Sequence, residues 1–200
     1  MNDKEGKPMR GMIAPVMAIG LMLSACTDGG DAKRSDALTP SDRTVAVALD
    51  QIDTLDRTGA LVKSSGLEDV LDGIGPYTVF APNDAAYAAI GQDAAALDSK
   101  SEGAGALAAA LLRAHIVPGL LTDQDIANAI KANGGSVEMT TMDDNILTFR
   151  KEGDAIIVSA PDGATAHLLP GTEVAKNGAV HPIDALLRST GEGAGETARD

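Results

Sequence analysis

Pro76-Tyr77-Thr78-Val79-Phe80-Ala81-Pro82-Asn83-Asp84-Ala85-Ala86-Tyr87 sets the frame for the rest of the chain. Residues 77–80 are β-branched or aromatic, the composition of a buried strand. Ala81-Pro82 stops that strand, because proline has no N–H to give to a ladder. Asn83 or Asp84 can then cap a helix at once, its short side chain accepting from N–H groups that a first helical turn leaves unpaired. A strand that becomes a capped helix within two residues is a rigid corner.

Upstream of this corner, Val45, Leu49, Ile52 and Leu55 fall at helical spacing. A second run carries Leu55, Gly59, Leu61 and Val62 and closes at Gly66, and a short turn over residues 67–71 ends in Asp72-Gly73-Ile74-Gly75-Pro76. Downstream, the helix opened at Asn83 should stop at Gly91, and residues 94–105 are rich in small residues without a clear period. Leu107, Leu111, Leu112 and His115 predict a helix over residues 106–116, ended by Pro118-Gly119. Thr122-Asp123-Gln124-Asp125 reads as a variant capping box opening a helix through Ile130, and Asn133-Gly134-Gly135 ends it. Beyond Gly135 the pattern changes to short alternating segments, predicting strands at 137–141, 146–150, 155–159, 166–169 and 179–183. Asp143-Asp144-Asn145, Lys151-Glu152-Gly153-Asp154 and Pro161-Asp162-Gly163 separate them as turns. Helices gather in the first half and strands in the second, which defines an α+β fold.

Composition narrows the function. With 200 residues and 44% hydrophobic content the chain can bury the core of one domain, yet aromatics are 2% and Trp is absent, so that core must be aliphatic. There is little material for an aromatic platform on which bases or sugars could stack. A formal net charge of −13 argues against nucleic acid, whose phosphates require surplus Lys and Arg. The acidity reads first as a solvated, self-repelling surface.

Lys4, Lys7 and Arg10 precede an uncharged stretch over residues 11–23, followed by Leu23-Ser24-Ala25-Cys26. The stretch is short for a membrane span, and the pattern looks like a bacterial lipoprotein leader over residues 1–25. In that class Cys26 becomes the first residue and is lipidated, so the chain is expected to be exported and held to the membrane by its lipid anchor. Two or more acyl chains give durable attachment, at about 0.8 kcal/mol for each buried methylene. Thr27 stands where Asp would favour inner-membrane retention, which points to the outer membrane. Loss of the leader removes three positive and two negative charges, taking the net charge from −13 to −14. Cys26 is the only cysteine, so no internal disulfide is available. Residues 26–42 are small and polar, a tether spanning roughly 20 to 24 Å. Residues 190–200 read as a disordered tail.

The opening stretch, Leu111-Leu112-Arg113-Ala114-His115-Ile116-Val117-Pro118-Gly119 and Asn177-Gly178-Ala179-Val180-His181-Pro182-Ile183-Asp184-Ala185-Leu186-Leu187 together resemble the signature segments of the fasciclin domain, a secreted or cell-surface adhesion module. The resemblance covers about residues 43–189. It implies two sheets packed as a wedge with helices covering one side, the strand at Tyr77 joining a sheet built mainly from the C-terminal half. Phe80, Pro82, Asn83, His115, Asn177, Gly178, His181 and Asp184 are the residues that carry the structural motif. His115 and His181 stand among apolar neighbours, where one ring nitrogen can donate to a backbone carbonyl and join two elements. Asp84 reads as helix-cap chemistry and Asn177-Gly178 as a tight turn. Pro182 departs from the family's usual β-branched residue, so its strand should lie at an edge or present that position away from a partner. Ala114 precedes His115 where animal adhesion domains carry an aromatic, so integrin-type recognition is not carried over.

Catalytic readings find little support. Ser159, His181 and Asp184 supply the residue types of a nucleophilic triad, but no Gly-x-Ser-x-Gly elbow assembles them. The three histidines lack metal-ligand spacing, and Asp143-Asp144-Asn145 lacks the rest of a calcium loop. The expectation is a non-enzymatic, monomeric adhesion or protein-interaction module with no cofactor, on a bacterial envelope, whose partner is a surface protein or polysaccharide. The alternative is an envelope protein that holds a small ligand in a pocket between its helices and sheets.

Overall fold

The computed structural model describes residues 40–91, 97 and 103–188. Cys26, the leader, the tether up to residue 39 and the tail 190–200 lie outside the described residues. Among the described residues, helices α1 (Val45–Leu49), α2 (Asp56–Ser65), α3 (Glu68–Asp72), α4 (Asp84–Ala89), α5 (Ala104–Arg113) and α6 (Asp123–Ala132) accompany eight strands. These are β1 (Tyr77–Pro82), β2 (Ile116–Pro118), β3 (Ser136–Thr140), β4 (Ile146–Glu152), β5 (Ala155–Ser159), β6 (Thr165–His167), β7 (Glu173–Ala175) and β8 (Gly178–Ile183).

The corner forms, but Ala81-Pro82 does not stop the strand: pairing with Pro182 and Ile183 of β8 keeps both residues in β1. β1 runs to Pro82, and the Asn83 side chain accepts from the Ala86 N–H at 2.8 Å to open α4. Asp84 does not cap that helix. Its carboxylate accepts from the Arg57 N–H at 2.9 Å, closing the N-terminus of α2.

Two four-stranded sheets result, in the orders β2-β1-β8-β7 and β3-β4-β5-β6. β1 and β8 are parallel and central, pairing Tyr77 with Gly178 through Pro82 with Ile183. Both strands read as continuous apolar runs because both faces of this sheet are covered. One face, with Val79, Ala81 and Val180, packs on α1, α2 and α5 through Leu49, Leu61, Ala108 and Leu112. The other, with Phe80, Val117 and Ile183, meets Ile126 and Ile130 of α6 and Leu147, Phe149 and Val158 of the second sheet. Phe80 joins the layers, its ring 5.0 Å from Phe149 and 5.3 Å from His181.

Several expectations are corrected. The helical spacing from Val45 to Leu55 breaks at Asp50, and Leu55 instead precedes α2. α5 ends at Arg113 rather than at Ile116, with His115 beyond it and residues 116–118 in β2. The reason is pairing with β1: Phe80 N–H donates to His115 and Gly119 N–H to Pro76, at 2.9 and 2.8 Å. Leu107, within α5, faces solvent instead of the core. Pro182 stands in an interior strand and not at an edge, but its carbonyl turns toward Leu169, on the side away from β1. β7 does not extend that far, its first residue Glu173 pairing with Val180, so it does not need the missing N–H.

Candidate functional site

Polar side chains inside an aliphatic core must be satisfied or they destabilise the fold, so their partners show what each is for. Asn177 sits between β7 and β8 and is 7% exposed. Its side-chain oxygen accepts from the Val45 N–H at 2.9 Å. Its amide donates to the Leu71 and Gly73 carbonyls at 2.8 and 2.6 Å. One residue thus closes the start of α1 and the end of α3 onto the central sheet. Beside it, a Cβ on Gly178 would lie 1.9 Å from the Tyr77 carbonyl oxygen.

His115 is a second junction. The Leu187 N–H donates to Nε2 at 2.8 Å, so that nitrogen carries no proton, and Nδ1–H donates to the Leu111 carbonyl at 2.8 Å. The neutral tautomer is therefore built in, tying the end of α5 to the segment after β8. Burial pushes the imidazole down from 6.5 to about 4, against the Leu111 hydrogen bond, which favours the charged form. An unfolded chain takes up this proton near pH 6.5 and the folded chain only near 4, so stability falls as pH drops through that interval. The loss should reach roughly 3 kcal/mol, from about 1.4 kcal/mol per pH unit. Denaturant midpoints measured at pH 7 and pH 4.5 are expected to separate, and to draw together in His115→Gln. Equal midpoints for the unsubstituted chain would contradict the neutral assignment.

His181 is fully buried. Nε2–H donates to the Leu121 carbonyl at 2.7 Å, while Nδ1 lies 2.8 Å from Asp123 Oδ1 and 3.0 Å from the Thr172 hydroxyl. Thr172 in turn donates to the same carboxylate oxygen at 2.8 Å. The cluster pins the N-terminus of α6, where the Thr122–Asp125 capping box is complete. The hydrogen bond from His181 holds the Asp123 carboxyl below its ordinary value.

Ser159, His181 and Asp184 do not converge. The Ser159 hydroxyl accepts from Arg150, His181 is held as described, and Asp184 serves His167. Asp184 accepts from the His167 N–H at 2.7 Å and lies 2.8 Å from its Nδ1, joining β6 to the end of β8. The pairings of Asp123 with His181 and Thr172, and of His167 with Asp184, escaped the sequence reading because they join residues well separated in the chain. Only the capping box drew attention to that end of α6.

Among the described residues, no group of His, Cys, Asp and Glu is arranged to hold a metal ion. Asp143-Asp144-Asn145 forms the β3–β4 turn, with Thr141 and Asn145 donating to Asp143. Asp144 adopts φ 63°, a conformation that Asp tolerates. A cavity of about 160 Å³ lies between Ala114, Leu147, Asp162 and Arg188. An open groove of about 440 Å³ crosses the outer face of the second sheet, lined by Glu138, Asp144, Asn145, Thr148, Ser159 and Pro161. Ile146 and Ala160 also line it, so acids and polar side chains share this surface with apolar ones.

A β1–α4 corner, a parallel β1/β8 pair locked by Asn177 and two histidine junctions on a two-sheet wedge define a fasciclin-type module. Residues 53–189 match the Fasciclin domain family, and the chain belongs to it. Protein sll1483 of Synechocystis sp. is 27% identical over 153 residues, covering 76% of this chain and 77% of that protein. The fold is also similar to a FAS1 domain pair from the insect cell adhesion molecule fasciclin I, with a TM-score of 0.62 at 20% identity. That match covers 75% of this chain and 52% of the domain pair. Domains of this family typically serve cell adhesion or protein interaction.

Proposed function

We propose that this chain is a non-enzymatic interaction module held to a bacterial envelope by lipid on Cys26, binding a basic surface component through exposed acidic turns. The observation that carries the reading is the use made of its polar interior. His115, His181 and Asn177 are engaged by fixed partners, which makes them struts of a rigid scaffold rather than acid–base groups facing a substrate. What such a scaffold offers outward is turns of defined geometry. Those carrying Asp144, Asp154 and Asp162 are acidic, and the net charge of −13 favours encounter with a positively charged partner. Ligand pockets usually occupy about 300 to 1,000 Å³ and enclose most of the ligand; the cavity of about 160 Å³ is smaller than that, and the groove of about 440 Å³ has the volume but lies open to solvent, which gives the small-ligand alternative less support.

The test is retention of envelope components by the immobilised full-length chain at low and high salt, beside a variant carrying Asp144→Asn and Asp154→Lys. Retention of the same protein or polysaccharide, lost in the variant and at high salt, is the expected result. A well-folded chain that retains nothing would overturn the reading. Labelling of the chain with fatty acid in a bacterial host, abolished by Cys26→Ser, tests the anchor separately.

A further inference from the structure

Sheet edges are where a protein accepts another strand, and three of the four edges here are already occupied. The outer side of β7 is covered by the entering chain, with Ser41 N–H donating to Val174 and Lys176 N–H to Arg43, both at 2.8 Å. The outer side of β6 is covered by residues 182–184, through Leu169 N–H to Pro182 and the paired bonds of His167 with Asp184. β2 is met by Met142, whose N–H donates to the Ile116 carbonyl at 2.8 Å.

β3 is different. The Thr141 N–H donates across the hairpin to Asn145 at 2.9 Å, so the odd residues Val137 and Met139 turn their backbone groups toward β4. Ser136, Glu138 and Thr140 must then turn theirs outward. Met142, next in this even series, finds Ile116, but the ladder stops there because the next outward residue of β2 is Pro118, which has no N–H. Among the described residues, no backbone group meets the outward amides and carbonyls of Ser136, Glu138 and Thr140. All three residues are solvent-exposed, while Val137 and Met139 on the opposite face are half-buried against the core.

We propose that the open edge of β3 is a docking site for an extended peptide segment of a partner, in which Lys or Arg alternates with aliphatic residues. The proposal rests on the interaction-module reading and gives it a place. Backbone pairing would supply the affinity, as in other strand additions, and the side chains the selection. Glu138 stands at the centre of the edge with no side-chain partner among the described residues, and it also lines the groove on the outer face with Asp144. A residue added opposite Glu138 projects onto this acidic outer face, where a cation is favoured. Its neighbours project to the other face, beside Val137 and Met139, where aliphatic groups extend the apolar cluster. Charge also argues against a second copy of this chain. Antiparallel pairing of two β3 edges about a twofold axis at Glu138 would set the two carboxylates directly opposite each other.

The experiment uses the full-length chain and three capped synthetic peptides: one alternating Val and Lys, one of the same composition with the lysines in a block, and one alternating but N-methylated on its pairing amides. Amide chemical shifts are followed by NMR during titration. The alternating peptide is expected to perturb Ser136, Glu138 and Thr140 foremost, and Glu138→Lys to weaken it about tenfold by turning an attractive cross-strand pair into a repulsive one. The N-methylated and block peptides should bind far more weakly. Equal binding of all three peptides, or indifference to Glu138→Lys, would show only general attraction to an acidic protein and overturn the proposal. So would absence of binding at millimolar peptide. Self-association that Glu138→Lys alters and the peptide does not displace would assign the edge to a second copy, again against the proposal. Envelope retention that persists in Glu138→Lys would sink the edge site while leaving the interaction-module function standing.

Discussion

Gly178→Ala is expected to leave the chain without its native fold. The added methyl carbon would stand 1.9 Å from the Tyr77 carbonyl oxygen, 2.9 Å from its carbon and 2.7 Å from Val45 Cγ2. Two of these three atoms are backbone of β1, the strand with which β8 pairs over its whole length, so neither can swing aside as a side chain would. Relief requires β1 and β8 to separate at their first pair, and that pair also fixes Asn177 and the start of α1. Overpacking in a core ordinarily costs about 1 to 3 kcal/mol, but a backbone contact this short exceeds what local relaxation absorbs. Domains of this size have roughly 5 to 15 kcal/mol of stability, and losses above about 4 to 5 kcal/mol are the exceptional class to which this one should belong. Circular dichroism and chemical denaturation of the variant provide the check. A cooperative transition near that of the unsubstituted chain would show that β1 and β8 do not approach as described.

Asn177→Ala should destabilise by about 3 to 5 kcal/mol, because it strands several buried groups at once. Removing the side chain leaves the Val45 N–H and the carbonyls of Leu71 and Gly73 without the partners they have at 2.6 to 2.9 Å. Each unsatisfied buried group costs about 1 to 3 kcal/mol, with water entering the vacated space recovering part of it. Asn177→Asp separates charge from shape: its oxygen can still accept from Val45, but it cannot donate to two carbonyls and would press a carboxylate against them. The expected order of denaturant midpoints is Asn first, with Ala and Asp both well below. A loss under about 1 kcal/mol for Ala would mean that the three bonds are surface-like in energy.

Much of the architecture was legible because it is decided within a few residues. Asn83 caps α4, Thr122 and Asp125 close their capping box, and Gly66 ends α2 at φ 74°, each through bonds to neighbours in the chain. The strands of the second sheet were readable for a similar reason, as they are consecutive hairpins with turn residues between alternating segments. The misreadings occurred where distant partners overrode local preference. Residues 114–116 continue an alanine- and leucine-rich helical pattern, yet pairing with β1 draws 116–118 into a strand. Asp84 looked like a cap for its own helix and instead serves Arg57, 27 positions earlier.

The candidate site divides the same way. Its residue types were visible in the chain: two histidines in apolar surroundings, an Asn-Gly turn and an acidic surface. Their roles came from partners far away in sequence. Asn177 reaches Leu71 and Val45 across 106 and 132 positions, His115 reaches Leu187 across 72, and His181 reaches Leu121 across 60. The open edge of β3 is a still more global property. The alternation of residues 136–140 marks a strand, but whether its outward amides are paired depends on where every other strand lies and on Pro118 halting β2. Caps, turns and strand periodicity follow from bonds between near neighbours, which the order of residues dictates directly. Buried polar pairing and the exposure of an edge follow from contacts made only after the sheets close, so the three-dimensional fold decided them.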